Sequence, residues 1–388
     1  MGKRILAMVC VMALLCVTFS GCGKKTETTQ SGQKEVTLNL ATAGDTNMLE
    51  FFKNQVGPAF TKKYPNITLN VVGTGTGDDG SRNIYTKWKA QRDANKSAWD
   101  IDVACVNESV MKDMIDNKVI EKYVSKISNS KYVDTPASKM SLGNNVQGYV
   151  VPLFQSQIVL AYNPSTVSQA PKTMKDLESW IKAHPKKFGY NGVVGGMSGV
   201  GFVASWLYYK TNDYQGLAKG KYDASKESSW SGIMKELKSL PVTYTQGNAG
   251  TLDMLNRGEI DMGPVWVDML LLWKSDGRMN PNIKMVLPDP GMPGQPMFMV
   301  VGAKATNGEA ARQFCDFLAD PKVQADYVVG KYTWYPGINA EAVFKACSQK
   351  SKDLLFSQVT AEEISKKGLS LPLNSYMQDM QRVYAETK

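Results

Sequence analysis

Residues 149–163 read YVVPLFQSQIVLAYN, a long run of β-forming residues broken by Pro152. Proline donates nothing to a strand ladder, so this stretch suits an edge or a crossing point better than a central strand. Upstream, VTLNLAT (36–42) alternates as a strand. A helix is expected from about Asn47 to Tyr64, with Leu49, Phe52, Val56 and Phe60 at helical spacing. ITLNVV (67–72), a glycine loop (73–80), a helix from about Asn83 to Ala94, IDVACV (101–106) and a helical SVMKDMIDNKVI (109–120) follow. That β-α-β-α-β-α order predicts a mostly parallel sheet with covering helices. Downstream, Thr173 caps an amphipathic MKDLESWIKAH, a second α/β block runs to about Pro290, and PMFMVVGA (296–303) is again a strand before helices at 308–319 and 321–329. Two apolar strands flanking a middle α/β block imply a chain that leaves one lobe, builds another and returns. The expected division is 36–151 with 297–334 as the first lobe and 152–296 with 335–388 as the second. A cleft between such lobes is where small ligands bind.

The N-terminus begins MGKR, continues apolar from Ile5 to Phe19 and ends Ser20-Gly21-Cys22. A basic start, an apolar core and small residues before a cut site read as a secretory signal. The cysteine placed directly after them predicts a lipoprotein signal over 1–21, with Cys22 lipidated and the protein tethered outside the cytoplasm. The alternative, an uncleaved anchor, needs a run nearer the roughly 20 residues that span a bilayer. Residues 22–35 are polar and read as a flexible tether. The whole chain carries +9, and removing Lys3 and Arg4 with the signal leaves +7 on the remainder. Its cations are scattered among acids, without the clustered patch that nucleic-acid binding requires. Of six cysteines, Cys105, Cys315 and Cys347 lie in the body. An odd number with no CxxC spacing argues against a disulfide framework or a zinc site.

Catalytic and cofactor signatures are scarce. The single histidine, His184, stands at a helix end before proline and reads as a solvated C-terminal cap. One histidine builds no multi-histidine metal site, and neither GxSxG nor a P-loop lysine motif occurs. Gly75-Thr76-Gly77-Asp78-Asp79-Gly80 fits G-x-G-x-x-G, yet its two aspartates set the wrong charge against a pyrophosphate. No cofactor is expected. The tyrosine pair at 208–209 lies in an amphipathic helix and reads as packing rather than iron ligation. The carboxylates Asp45, Glu108 and Asp268 leave open a glycan hydrolase working with two of them.

Several segments, in order, resemble the extracellular solute-binding proteins of bacterial ABC importers. They are KKYPNITLNVV, WDIDVACVNES, VVPLFQSQIVLAYNPS followed by KTMKDL, LNRGEIDMGPVWVDML, and VLPDPGMPGQPMFMVVGAKATNGEAARQFCDFLADPKVQ. SGVGF (198–202) resembles the branch that takes thiamine, polyamines, iron or phosphorylated sugars. The resemblance implies an α/β, two-lobed type II periplasmic-binding-protein fold with a hinge and interlobe cleft. It further implies a monomer that captures a small solute and docks on a membrane permease, or a sensor of the same fold reporting to a membrane kinase.

Ligands of α/β lobes sit beyond the carboxyl ends of strands. That rule selects Asp45 and Thr46 after the first strand, Thr76 after the second, Asn107 and Glu108 after the third, and Gln155 at the crossing. Ser198 and Gly199 precede the helix FVASWLYY, whose first amides would hold an anion or simply form a glycine-rich turn. Trp266, which matches the family's cleft tryptophan, and Asp268 follow GEIDMGP. Tyr332 and Trp334 in YTWYPG line the cleft or pack the hinge.

Overall fold

The computed structural model describes residues 34–388. The signal (1–21), Cys22 and all of the tether (22–35) except Lys34 and Glu35 lie outside the described residues. Glu35–Lys388 folds as one compact unit. Among the described residues no helix is long and apolar enough to cross a membrane.

Among the described residues, nine strands share one sheet. They are β1 (Val36–Thr42), β2 (Ile67–Gly73), β3 (Val103–Asn107), β4 (Val151–Tyr162), β5 (Met262–Trp266), β6 (Lys284–Val286), β7 (Met292–Val301), β8 (Tyr335–Pro336) and β9 (Gly368–Ser370). The order is β6-β4-β7-β3-β1-β2, with β5 and β8 also pairing β4, and β9 pairing β7. β2, β1 and β3 are parallel. The remainder departs from the mostly parallel expectation. β7 runs antiparallel to β3 and to β4, and β4 antiparallel to β5, β6 and β8. A chain that leaves a lobe along one strand and returns along its neighbour must reverse direction, so the crossing pair is antiparallel by construction of the path.

Pro152 sits at a break in that pair. Met297 opposes Phe154 and Phe298 opposes Pro152, so Leu153 bulges out of register. A bulge is one of the few places a sheet accepts proline.

Side chains alternate along each strand with period two. In the first lobe Leu38, Leu40, Val103, Cys105, Met297 and Met299 enter one core. Ala41, Ala104, Val106, Phe298 and Val300 enter another on the opposite face. The second lobe has its own core, which takes Ile158–Ala161 of β4 and Met292 of β7. β4 therefore changes lobes between Phe154 and Ile158, and β7 between Met292 and Met297. The hinge is the paired segment Gly294↔Gln157, Gln295↔Ser156, Pro296↔Gln155. After β8, Ile338, Val343 and Leu355 still pack into the first-lobe core, and the chain joins the second-lobe core from Val359 onward. The handover at 335 read from sequence falls about one helical hairpin too early.

The helices follow their sequence cues. α1 (46–63) is continuous, with a π-helical stretch Phe51–Val56 in its middle and Phe51, Phe52, Val56 and Phe60 fully buried. α2 (Gly77–Asp93) begins earlier than expected, inside the glycine loop. α3 (Met174–Ala183) opens on a capping box in which Thr173 Oγ1 accepts from the Asp176 amide (3.0 Å) and Asp176 accepts from the Thr173 amide (3.0 Å). Its exposed C-cap is His184, stacked on Trp180 with centroids 4.4 Å apart. α4 (Met197–Thr211) is buried along most of its length. There Tyr208 donates to the Ser370 carbonyl (2.9 Å) and Tyr209 to Glu178 (3.0 Å), so the tyrosine pair is engaged structurally. α5 (Gly247–Asn256), α6 (Val267–Ser275), α7 (Gly308–Leu318) and α8 (Asn374–Glu386) complete the elements used below. Cys105, Cys315 and Cys347 are free, the first two buried.

Candidate ligand-binding cleft

A cavity of about 90 Å³ lies between the lobes at the hinge. The first lobe supplies the turns after its parallel strands: Gly44, Asp45, Asn47 and Met48 after β1, Thr76 and Gly77 after β2, and Asn107 after β3. The second lobe supplies Gly195–Met197, Asn248, Trp266, Asp268 and Met269. The hinge strands floor it with Phe154 and Ser156 of β4 and Gln295 and Met297 of β7.

Four helices, α2, α4, α5 and α6, start at this cavity, and none of their N-cap residues (Thr76, Gly196, Gln246, Trp266) puts a side chain on the first turn. Some helices elsewhere are capped by their own Thr173, Asn339, Ser348 or Thr360, while α7 and α8 are uncapped like these four, and α1, which also starts at the cavity, is capped by Asp45. Uncapped first turns carry amide donors and the positive end of the helix dipole, so the cleft presents a ring of donors drawn from both lobes. Asn248 holds one end of this ring in place, since its Oδ1 accepts from the Trp266 amide (2.8 Å).

The first turn of α6 itself carries a buried carboxyl. Asp268 is 5% exposed and accepts from the Ser156 hydroxyl and from Trp334 Nε1, the latter at 2.6 Å. Burial pushes its pKa up to about 6, and those two donors hold it from rising further. Trp334 lies flat on Phe154, centroids 4.0 Å apart and planes 8° from parallel, with Phe51 and Tyr332 packed on its edges.

The front lip is shut. Thr76 Oγ1 donates to the Gly195 carbonyl (3.3 Å), and a Cβ on Gly77 would stand 3.0 Å from Gly196 Cα. Gly77 has φ +56°, so two independent constraints, backbone sign and lobe-to-lobe approach, select glycine there.

Of the residues expected from sequence, Asp45, Thr76, Asn107, Trp266 and Asp268 line this cavity. Asp45 also caps α1 by accepting from the Thr46 amide (2.7 Å), and Thr46 itself lies outside the lining. Asn107 likewise accepts from the Ser109 amide (3.1 Å). Tyr332 and Trp334 are buried in the first-lobe core, with Trp334 acting on Asp268 from behind. Ser198 is fully buried and donates to Asn191 Oδ1 (3.1 Å), while a Cβ on Gly199 would meet the Gly192 carbonyl at 2.0 Å, so both serve packing. Glu108 and Gln155 open instead onto a second cavity of about 690 Å³ on the other face of the hinge strands. Strand parity explains this: on β4 Phe154 and Ser156 face the cleft, and Gln155 and Gln157 face away. Met48, Asn248, Gln295 and Met297 were not singled out from sequence. Asn248 obeys the same strand-end rule, following the short strand Thr243–Tyr244, whereas Gln295 and Met297 are found only once the parity of β7 is known.

Solved structures with this fold include the spermidine/putrescine ABC transporter substrate-binding protein PotD of Streptococcus pneumoniae, at 15% identity and TM-score 0.65 over 90% of this chain and 99% of that one. Maltose-bound MalE3 of T. maritima matches at 18% and 0.68 over 90% and 94%. Iron-bound HitA of Pseudomonas aeruginosa matches at 17% and 0.64 over 90% and 99%. These likenesses establish the two-lobed fold. None of the curated proteins compared matches the sequence well enough to count as a relative. The model of the bacterial extracellular solute-binding proteins matches residues 45–325, and the chain belongs to that family.

Proposed function

We propose that the protein is the lipid-anchored receptor of an ABC importer, capturing a compact polar solute by closure of its two lobes and handing it to a membrane permease. The observation that carries this reading is the cleft itself. Uncapped helix starts from both lobes, the buried carboxyl of Asp268 and the half-buried ring of Trp266 line one space enclosed between the lobes. Such groups are satisfied when a ligand is bound and the lobes meet, which is the differential interaction that drives closure.

The same groups describe the solute. Asp268 and Trp266 favour a cationic or hydroxyl donor, and the helix amides favour an acceptor or acid at the other end. The cavity is small, about 90 Å³, which favours a compact solute. Polyamines, thiamine-like compounds, single sugars and phosphosugars are the classes to screen, and those carrying both an amine and an acceptor rank first. Glu108 and Asp268 face different cavities, which leaves Asp45 and Asp268 as the one carboxylate pair in the cleft that a hydrolase reading can use.

A thermal-shift screen across those classes tests the proposal. A cleft ligand present at 100 times its Kd stabilises by about 2.7 kcal/mol and raises Tm accordingly. The absence of any shift across the whole panel would count against a solute receptor.

A further inference from the structure

The second cavity, about 690 Å³, falls within the roughly 300–1,000 Å³ typical of small-molecule sites. One wall is the face of the hinge turned away from the cleft, with Gln155 and Gln157 on β4 and Gly294 and Pro296 on β7. The other is built from the turn around Ser141 and the segment from Ile364 to Leu371. No lysine, arginine or histidine lines it, and Glu108 is its one acid.

Two acceptors stand in its wall, the Glu108 carboxyl and the Gln157 side-chain oxygen. Glu108 is 6% exposed, and its carboxyl is bonded by the Ser141 hydroxyl at 2.8 Å. Gln157 spends its amide N–H groups on the carbonyls of Ile158 (3.0 Å) and Met292 (2.6 Å). Its remaining oxygen lies 3.0 Å from where a Cβ would stand on Gly294 or on Gly368, both in the cavity wall. A ligand with N–H donors adds hydrogen bonds to these acceptors and supplies a counter-charge for Glu108.

We propose that this cavity behind the hinge binds a small organic cation, a primary ammonium or guanidinium group seated against Glu108 and the side-chain oxygen of Gln157. The site lies across the hinge strands from the solute cleft and shares with it Ser156 and Gln295.

Burial pushes the Glu108 pKa up to about 8, opposed by the Ser141 hydrogen bond. The other titratable groups at this cavity, among the described residues, are the Tyr208 phenol, buried and bonded to Ser370, and Tyr335 in its wall, both raised by burial. Near pH 7 the empty cavity therefore holds Glu108 mostly protonated. A bound cation favours the carboxylate, so binding releases a proton, and affinity tightens as pH rises toward 8 and levels above it.

Isothermal titration of the purified protein with n-butylamine and, separately, methylguanidine near pH 7, in two buffers of different ionisation heat, tests this. The expected result is saturable binding of at least one probe with release of close to one proton. Glu108→Gln should weaken it about tenfold or more and abolish the proton release. Ser365→Trp, at the exposed rim, should block it, and Trp266→Ala, in the cleft, should leave it intact. Binding that Glu108→Gln leaves unchanged, or that Trp266→Ala removes, overturns the proposal, as does the absence of heat from both probes at about 10 mM.

Discussion

At the scale of single residues, two carboxyls divide the work according to which face of the hinge they occupy. Asp268 faces the cleft with Trp266 beside it. Trp266→Ala should weaken solute affinity about 10- to 100-fold while leaving the melting temperature of the empty protein nearly unchanged, since the ring is half-exposed; calorimetry of the two proteins decides. Glu108 makes a different prediction. Its folded-state pKa is raised, so it binds its proton more tightly when folded, and its stabilising contribution is lost as pH rises through about 8. Between pH 7 and 9 the wild-type protein should lose about 1 kcal/mol relative to Glu108→Gln, measured by denaturant unfolding of both. Much of this residue-level picture was legible beforehand. The rule that ligands gather at strand ends reached Asp45, Thr76, Asn107, Trp266 and Asp268. It misplaced Glu108 and Gln155 because it names loops and strands without saying which face a side chain takes. Trp334, which the sequence left open between the cleft and the hinge, is turned inward by its stack on Phe154.

At the scale of elements, closure depends on close approaches that only glycine allows. Gly77 opens α2 against Gly196 at the start of α4. Gly77→Val should leave each lobe folded yet hold the lip apart, lowering solute affinity by slowing closure and speeding release; stopped-flow binding would reveal it as a faster off-rate. Within the second lobe, a Cβ on Gly201 would stand 2.1 Å from Ile158 Cδ1, because α4 rests directly on β4. Gly201→Leu should destabilise the protein by about 1–3 kcal/mol through overpacking, seen as a lower denaturation midpoint at unchanged slope. The element pattern itself was readable, from the capping box at Thr173 to the period-two strands. The sheet's sense was not, because local order reports strands but not the reversal imposed by a chain that crosses between lobes and returns.

At the scale of the molecule, the hinge of β4 and β7 joins two separately packed lobes, the first with a core on each face of its sheet and the second with its own. Two lobes joined by a short paired segment move as bodies. The proposed lipid on Cys22 adds a tether that keeps the receptor near its permease and raises the effective concentration of their encounter. Cys22→Ser should release the protein into the medium, retain full solute affinity and support uptake poorly; undiminished uptake by the released form would remove the tether from the mechanism. The central claim is that solute capture and lobe closure are one event. Small-angle X-ray scattering of the purified protein, with and without the solute that gives the largest thermal shift, measures this directly. The account predicts a smaller radius of gyration on saturation in the wild type and little change in Gly77→Val. Saturated binding with an unchanged radius in the wild type would contradict it.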